Sequence, residues 1–208
     1  MPNIDFTNYP LNSSEKTEEG FDETILKNIQ LILSESVSTH REPRLAHLVV
    51  QSPNELIFER LGAEIRRWFT QRKPSCSSKP LWIAVYEQSS SRGFHLHIAV
   101  IADGIAYVDL QILSERLSKF SRKGKAKVLK RKRVFLTDSD GVIRKNEDGG
   151  LIRKGHSDYH TLKTELADGY ERLSYFAKSM TKRLIPNRKK CYLVCRLSNA
   201  LAAQRPEL

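Results

Sequence analysis

Phe94-His95-Leu96-His97-Ile98 is the segment in which residue type and spacing first suggest chemistry. On a strand successive side chains alternate, so His95 and His97 share one face while Phe94, Leu96 and Ile98 take the other. Two neighbouring imidazoles backed by apolar side chains form half of a metal site, although two solvated sheet histidines would read the same way. Glu87 adds to the pair. It ends an apolar run eight residues before His95, across a polar loop. An even separation in an antiparallel hairpin would set it opposite His95, its carboxylate beside both rings. Two histidines and one carboxylate leave positions open on a divalent ion, as catalysis needs. Such a donor set suits Mg²⁺ or Mn²⁺ bridging to a phosphate oxygen. A solvated carboxylate at a strand end is the plainer alternative.

The second group lies near the C-terminus, in Tyr175-Phe176-Ala177-Lys178. Read as a helix over 170–184, the segment puts Leu173, Ala177, Met180 and Leu184 in one apolar stripe. Tyr175, Lys178 and Lys182 then fall on the opposite side, with Tyr175 and Lys178 one turn apart. A phenol ionises only near pH of about 10, so cations beside it favour the phenolate, the better nucleophile. An exposed tyrosine among solvated lysines has the same spacing. Tyr159 and Tyr170 are other candidate nucleophiles, but neither has a lysine three residues on. His156 and His160 stand four apart in a Gly/Ser/Asp-rich turn and read as surface residues rather than a ligand pair.

The elements that must position these groups follow from periodicity. Residues 1–20 are polar and read as a flexible arm, and Phe21, Ile25, Ile29 and Ile32 mark a helix over 21–36 packed on the body. An apolar run over 45–51 predicts a strand, punctuated by Ser52-Pro53-Asn54. A helix over 55–72 follows, with Leu56, Leu61, Ile65, Trp68 and Phe69 on one face and Pro74 at its end. Strands over 81–87 and 94–101 make a hairpin. Leu110, Leu113, Leu117 and Phe120 mark another helix. Residues 161–166 suggest a helical turn or two, Asp168-Gly169 caps the helix over 170–184, and 190–197 is a last strand. The order implies an α+β domain with a central antiparallel sheet of about five strands flanked by helices.

Charge is unevenly distributed. The 208 residues hold 35 Lys+Arg and 24 Asp+Glu, a formal net charge of +11. Residues 1–40 carry seven acids and two bases, a net of −5, which leaves +16 for residues 41–208. A field of that sign attracts polyanions, phosphate backbones above all. Nine of the fifteen residues from 119 to 133 are basic: Lys119, Arg122, Lys123, Lys125, Lys127, Lys130, Arg131, Lys132 and Arg133. With a strand over 134–136, a turn at 138–141 and a partner over 142–144, this segment reads as a long basic hairpin within 119–153. Three cysteines without metal-like spacing predict neither a disulfide framework nor a thiolate zinc site. No run approaches the roughly 20 apolar residues of a membrane span, and Met1 to Pro10 lacks the pattern of a secretory signal. A cytoplasmic protein without a membrane partner is the expectation.

Glu87, His95-Leu96-His97 and Tyr175-x-x-Lys178, in that order, resemble the HUH superfamily of single-strand endonucleases. Within it, a histidine pair ahead of the tyrosine is similar to rolling-circle replication initiators rather than conjugative relaxases. The segments 92–97 and 175–182 look most like initiators of the filamentous-phage and plasmid type. The resemblance spans roughly 45–197 and implies two units: an acidic N-terminal arm and helix over 1–40, and a nicking domain over 41–208 carrying the basic hairpin. It implies that Glu87, His95 and His97 hold Mg²⁺ or Mn²⁺ against the scissile phosphate. Tyr175 would attack the phosphorus to give a 5′-phosphotyrosine and a free 3′-OH, and Lys178 would orient the phosphate. The basic residues named above, with Lys182, would bind single-stranded or hairpin origin DNA. No Gly-x-x-x-x-Gly-Lys-Ser/Thr loop is present, so a host helicase, with a polymerase, would be a partner. The alternatives are a non-catalytic sequence-specific DNA-binding repressor and a transposase using the same chemistry. Oligomeric state has no signature in the sequence.

Overall fold

Three long strands carry the molecule: β1 (Pro43–Gln51), β2 (Leu81–Ser89) and β3 (Gly93–Asp103). Their sequences are near-continuous apolar runs because both faces of the sheet are covered. The structure, a computed structural model, describes residues 4–12, 20–89, 93–130, 142, 147, 155, 158–178 and 191–197. Short strands β4 (Ala126–Val128), β5 (Tyr159–Thr161) and β6 (Tyr192–Val194) complete an antiparallel sheet in the order β4-β1-β3-β2-β6, with β5 also on β1. β4 pairs with Leu48, Val49 and Val50, whereas β5 pairs with Arg44, Leu45 and Ala46. The two share one edge, so the described sheet is five strands wide. The architecture is α+β, an antiparallel sheet flanked by helices.

Two layers of helix bury the faces. α2 (Leu56–Arg72) and α3 (Tyr107–Ser118) cover one, where Ile57, Leu61, Ile65, Trp68, Leu110, Leu113 and Leu117 meet Leu48, Val50, Leu96, Ile98 and Val100. α1 (Glu23–Thr39) and α4 (Leu166–Ser174) cover the other, with Ile25, Ile29, Ile32 and Leu173 against Leu45, Ile83, Val85 and Ile101. Asp22 starts α1 by accepting the Ile25 N–H on Oδ1 at 3.0 Å. Gly169 lets α4 lie close to the sheet: a Cβ there would meet Leu162 Cδ2 at 2.6 Å and Leu45 Cδ2 at 3.4 Å. No disulfide joins Cys76, Cys191 and Cys195. Among the described residues no helix is long and apolar enough to cross a membrane.

Several expectations change. Residues 4–12 are packed rather than extended into solvent: Phe6 is buried against Tyr170 at 5.0 Å, and the Asn12 N–H donates to Ser174 Oγ at 2.7 Å. Ile4 and Tyr9 pack on the same core as Phe6. Of the residues expected to form a helical turn over 161–166, Thr161 ends strand β5 on the free edge at Arg44, Leu45 and Ala46, and the turn follows it, with the Glu165 N–H donating to the Thr161 carbonyl at 2.9 Å. Asp168 and Gly169 lie inside α4 rather than capping it.

The helix expected over 170–184 begins earlier and tightens into a 3₁₀ turn at Tyr175–Ala177. Lys178 is already extended, with φ −57° and ψ 125°, and bridges to Phe21. The Asp22 N–H donates to the Ala177 carbonyl at 2.7 Å, occupying the acceptor that another helical turn would have used. Met180, Lys182 and Leu184 lie outside the described residues.

Candidate metal centre and nucleophile

The β2–β3 hairpin pairs Glu87 with His95 and Val85 with His97. Directly opposite residues share a face, so Glu87, His95 and His97 stand together on the side covered by α1 and α4. All three are buried. Glu87 Oε2 lies 3.4 Å from His95 Nε2 and 3.2 Å from His97 Nε2. One ligand atom from each residue falls within 4.8 Å of the others, a group able to hold a metal ion.

Both rings turn Nε2 inward because Nδ1 is engaged elsewhere. His95 Nδ1 lies 3.0 Å from the Gly93 carbonyl, so its N–H has a backbone acceptor two residues away. Gly93 starts the strand at φ +68°, a conformation glycine adopts without strain. His97 Nδ1 lies 2.8 Å from His47 Nε2. His97 Nε2, in contrast, is buried and makes no well-formed hydrogen bond among the described residues. Burial pushes the His97 pKa below its ordinary value, against the pull of Glu87. Two imidazole nitrogens and a carboxylate oxygen facing one another form a donor set that fits a divalent cation.

His47 was not anticipated. It sits at the centre of β1, opposite Ala99 and diagonal to His97 on the same face. Burial holds its pKa well below the usual range, and His97 and Arg172 push the same way. Its signal was a lone imidazole inside the apolar run Leu45-Ala46-His47-Leu48-Val49-Val50, where burying a polar ring requires a partner. Phe176 packs edge-on to His47 with centroids 4.9 Å apart and also contacts His97.

Tyr175 enters from the 3₁₀ turn that follows α4. It is half-buried, partly packed on the core, and its hydroxyl donates to Glu87 Oε2 at 3.1 Å. Its ring meets His97 edge-on at 5.5 Å. The Lys178 ammonium sits over the Tyr175 ring, 5.3 Å from the centroid. The other tyrosines are elsewhere. Tyr170 is buried and accepts from Gln30 Nε2 at 3.1 Å. Tyr159 lies opposite Ala46, on the other face, beneath the Arg44 guanidinium. His160 is buried on β5 rather than exposed in a turn, and His156 lies outside the described residues.

Six of the ten predicted DNA-binding residues are described, and all six are exposed. The β1–β4 register puts Lys127 opposite Val49, and Gln51 N–H donates to the Lys125 carbonyl at 3.0 Å. Lys127 therefore shares a row and a face with His97, and Lys125 with His95 and Glu87. At about 4.8 Å per strand both stand roughly 10 Å from the histidines. Lys119 is bound to Glu64 at 2.9 Å, and Lys130 lies 3.9 Å from Asp158. Arg122 and Lys123 occupy the turn between α3 and β4. Arg131, Lys132 and Arg133 lie outside the described residues, as does most of the expected hairpin.

No protein-family model and no curated protein matches this chain. Among solved structures, the catalytic domain of the Adeno Associated Virus type 5 Rep protein aligns with 64% of this chain and 96% of its own, at 13% identity and a TM-score of 0.28.

Proposed function

We propose that this chain nicks and rejoins single-stranded DNA at a replication origin, as a rolling-circle initiator does. One observation carries the reading: the Tyr175 hydroxyl reaches the same Glu87 oxygen that both histidines face. A tyrosine placed at a Glu-His-His group suits attack on a phosphodiester better than electron transfer or hydrolysis by a bound water.

Glu87, His95 and His97 would hold Mg²⁺ or Mn²⁺, which when bound polarises a phosphate oxygen. Tyr175 Oη attacks the phosphorus, forming a tyrosyl O–P bond and breaking the bond to the 3′ oxygen. The products are a 5′-phosphotyrosine and a 3′-OH, and the proton lost by the phenol balances the one gained by the 3′ oxygen. Lys178, beside the phenol, supplies positive charge where the phosphate must sit. Lys125 and Lys127 would hold neighbouring phosphates of the strand, with Arg122, Lys123, Lys130, Arg131, Lys132, Arg133 and Lys182 extending the basic surface, while Lys119 is engaged with Glu64. In this reading 1–40 is an acidic arm and helix and 41–208 is the nicking domain, phage- or plasmid-like, working in the cytoplasm with a host helicase and polymerase.

The test incubates the full chain with single-stranded origin-like oligonucleotides and Mn²⁺ and looks for an SDS-stable covalent adduct. The expected result is an adduct that Tyr175→Phe abolishes. An adduct that persists in Tyr175→Phe overturns the nucleophile, and tight duplex binding without any adduct favours a repressor.

A further inference from the structure

We propose that His47 is a positioning residue for the metal site, holding His97 in the tautomer that presents a bare Nε2 to the ion. The inference rests on the metal-dependent reading above. A neutral imidazole carries one N–H and one lone pair, so a ring that binds metal through Nε2 must keep its proton on Nδ1. That proton needs an acceptor inside a buried site. His95 finds one in its own strand, the Gly93 carbonyl at 3.0 Å. His97 has His47 Nε2 at 2.8 Å, supplied by the next strand.

The geometry is fixed from several sides. His47 and His97 are diagonal neighbours across the β1–β3 ladder, whose pairing runs without a slip from Pro43 to Gln51. Phe176 closes against both rings. When His47 accepts through Nε2, its own proton resides on Nδ1, which is buried and has no hydrogen-bond partner among the described residues. His47 also lines a cavity of about 10 Å³ whose walls include Asp158, His160 and Arg172 beside Leu45, Leu129 and Tyr159. The acceptor for His97 thus comes from a strand 50 residues away in the chain.

The test measures Mn²⁺ affinity of the full chain without DNA, by electron paramagnetic resonance, for wild type, His47→Leu and His47→Gln. Loss of a partner behind a metal-bound histidine typically costs about 10- to 100-fold in metal affinity. His47→Leu should show that loss, and His47→Gln, whose amide oxygen can accept the same proton, should recover most of it. Ring ¹⁵N shifts of the Mg²⁺-saturated wild type should show His97 protonated at Nδ1 and His47 unprotonated at Nε2. That readout decides the matter even where the leucine variant does not fold. Leucine and wild-type affinities within twofold, or a proton on His47 Nε2 in the loaded protein, overturn the inference alone. A wild type that binds neither ion overturns the metal-dependent reading and the inference with it.

Discussion

Tyr175 Oη donates to Glu87 Oε2 at 3.1 Å across 88 residues of sequence. That contact makes one carboxylate oxygen the common reference for the tyrosine and for both histidine Nε2 atoms. Glu87 is set by the pleat of a hairpin, whereas Tyr175 is set by a break in a helix. Two unrelated pieces of local geometry therefore converge, and each can be perturbed separately.

Adjacent residues should respond in opposite ways. Tyr175→Phe removes one hydrogen bond and no ring, so stability should change by about 0.5–1.5 kcal/mol, while strand cleavage falls by about 1000-fold or more. Phe176 is fully buried, and Phe176→Ala should cost about 3–5 kcal/mol. Urea unfolding and a labelled-oligonucleotide nicking assay separate the two; equal effects of both variants on stability would contradict the assignment.

Metal should stabilise the fold. An ion that binds only the folded chain raises the midpoint of unfolding by mass action, about 2.7 kcal/mol at a hundredfold excess over Kd. Thermal melts with Mn²⁺ should therefore shift upward, and a chelator should reverse the shift. Glu87→Gln keeps the shape but removes the charge, so it should abolish the response. A melt that rises equally in the variant would place the ion elsewhere.

The basic residues should not be equivalent. Lys125 and Lys127 stand on the face and in the rows of the metal ligands, whereas Lys119 is engaged with Glu64. Charge reversal at Lys125 and Lys127 should weaken single-strand binding and lower the salt slope by about 0.7 per lost phosphate contact. Reversal at Lys119 should disturb its pair with Glu64 and leave the slope nearly unchanged. Fluorescence anisotropy over a salt series reads both, and the opposite ranking would move the strand to another surface.

Acid should destabilise the metal-free protein early. His40 is buried, with ring nitrogens on Thr39 Oγ1 and the Lys79 carbonyl, and burial lowers its pKa despite the nearby Asp103 and Glu35. His47 and His97 are shifted in the same direction. A base whose folded pKa is depressed takes up its proton first in the unfolded chain. Its contribution is thus present above the unfolded value of about 6.5 and is lost as pH falls below it. Melting temperatures in chelator should drop between pH 7.5 and 5, with a shallower slope in His40→Gln. A flat or rising profile would contradict neutral burial.

What the sequence determined by itself is the chemistry carried by local periodicity. Alternation on a strand aligned His95 with His97, and the even separation from Glu87 fixed which face it shared, since a hairpin leaves few registers. The α+β pattern was legible for the same reason, each element announcing its own period. Tertiary structure decided what depends on competition between distant groups. Asp22 took the carbonyl of Ala177 and ended the helix beside Tyr175. A free edge of β1 drew the segment containing His160 into a strand, and the β1–β3 ladder carried His47 to His97. None of these partners is near its counterpart in the chain. A hydrogen bond between them has no period to read, and its place is set only when the sheet closes.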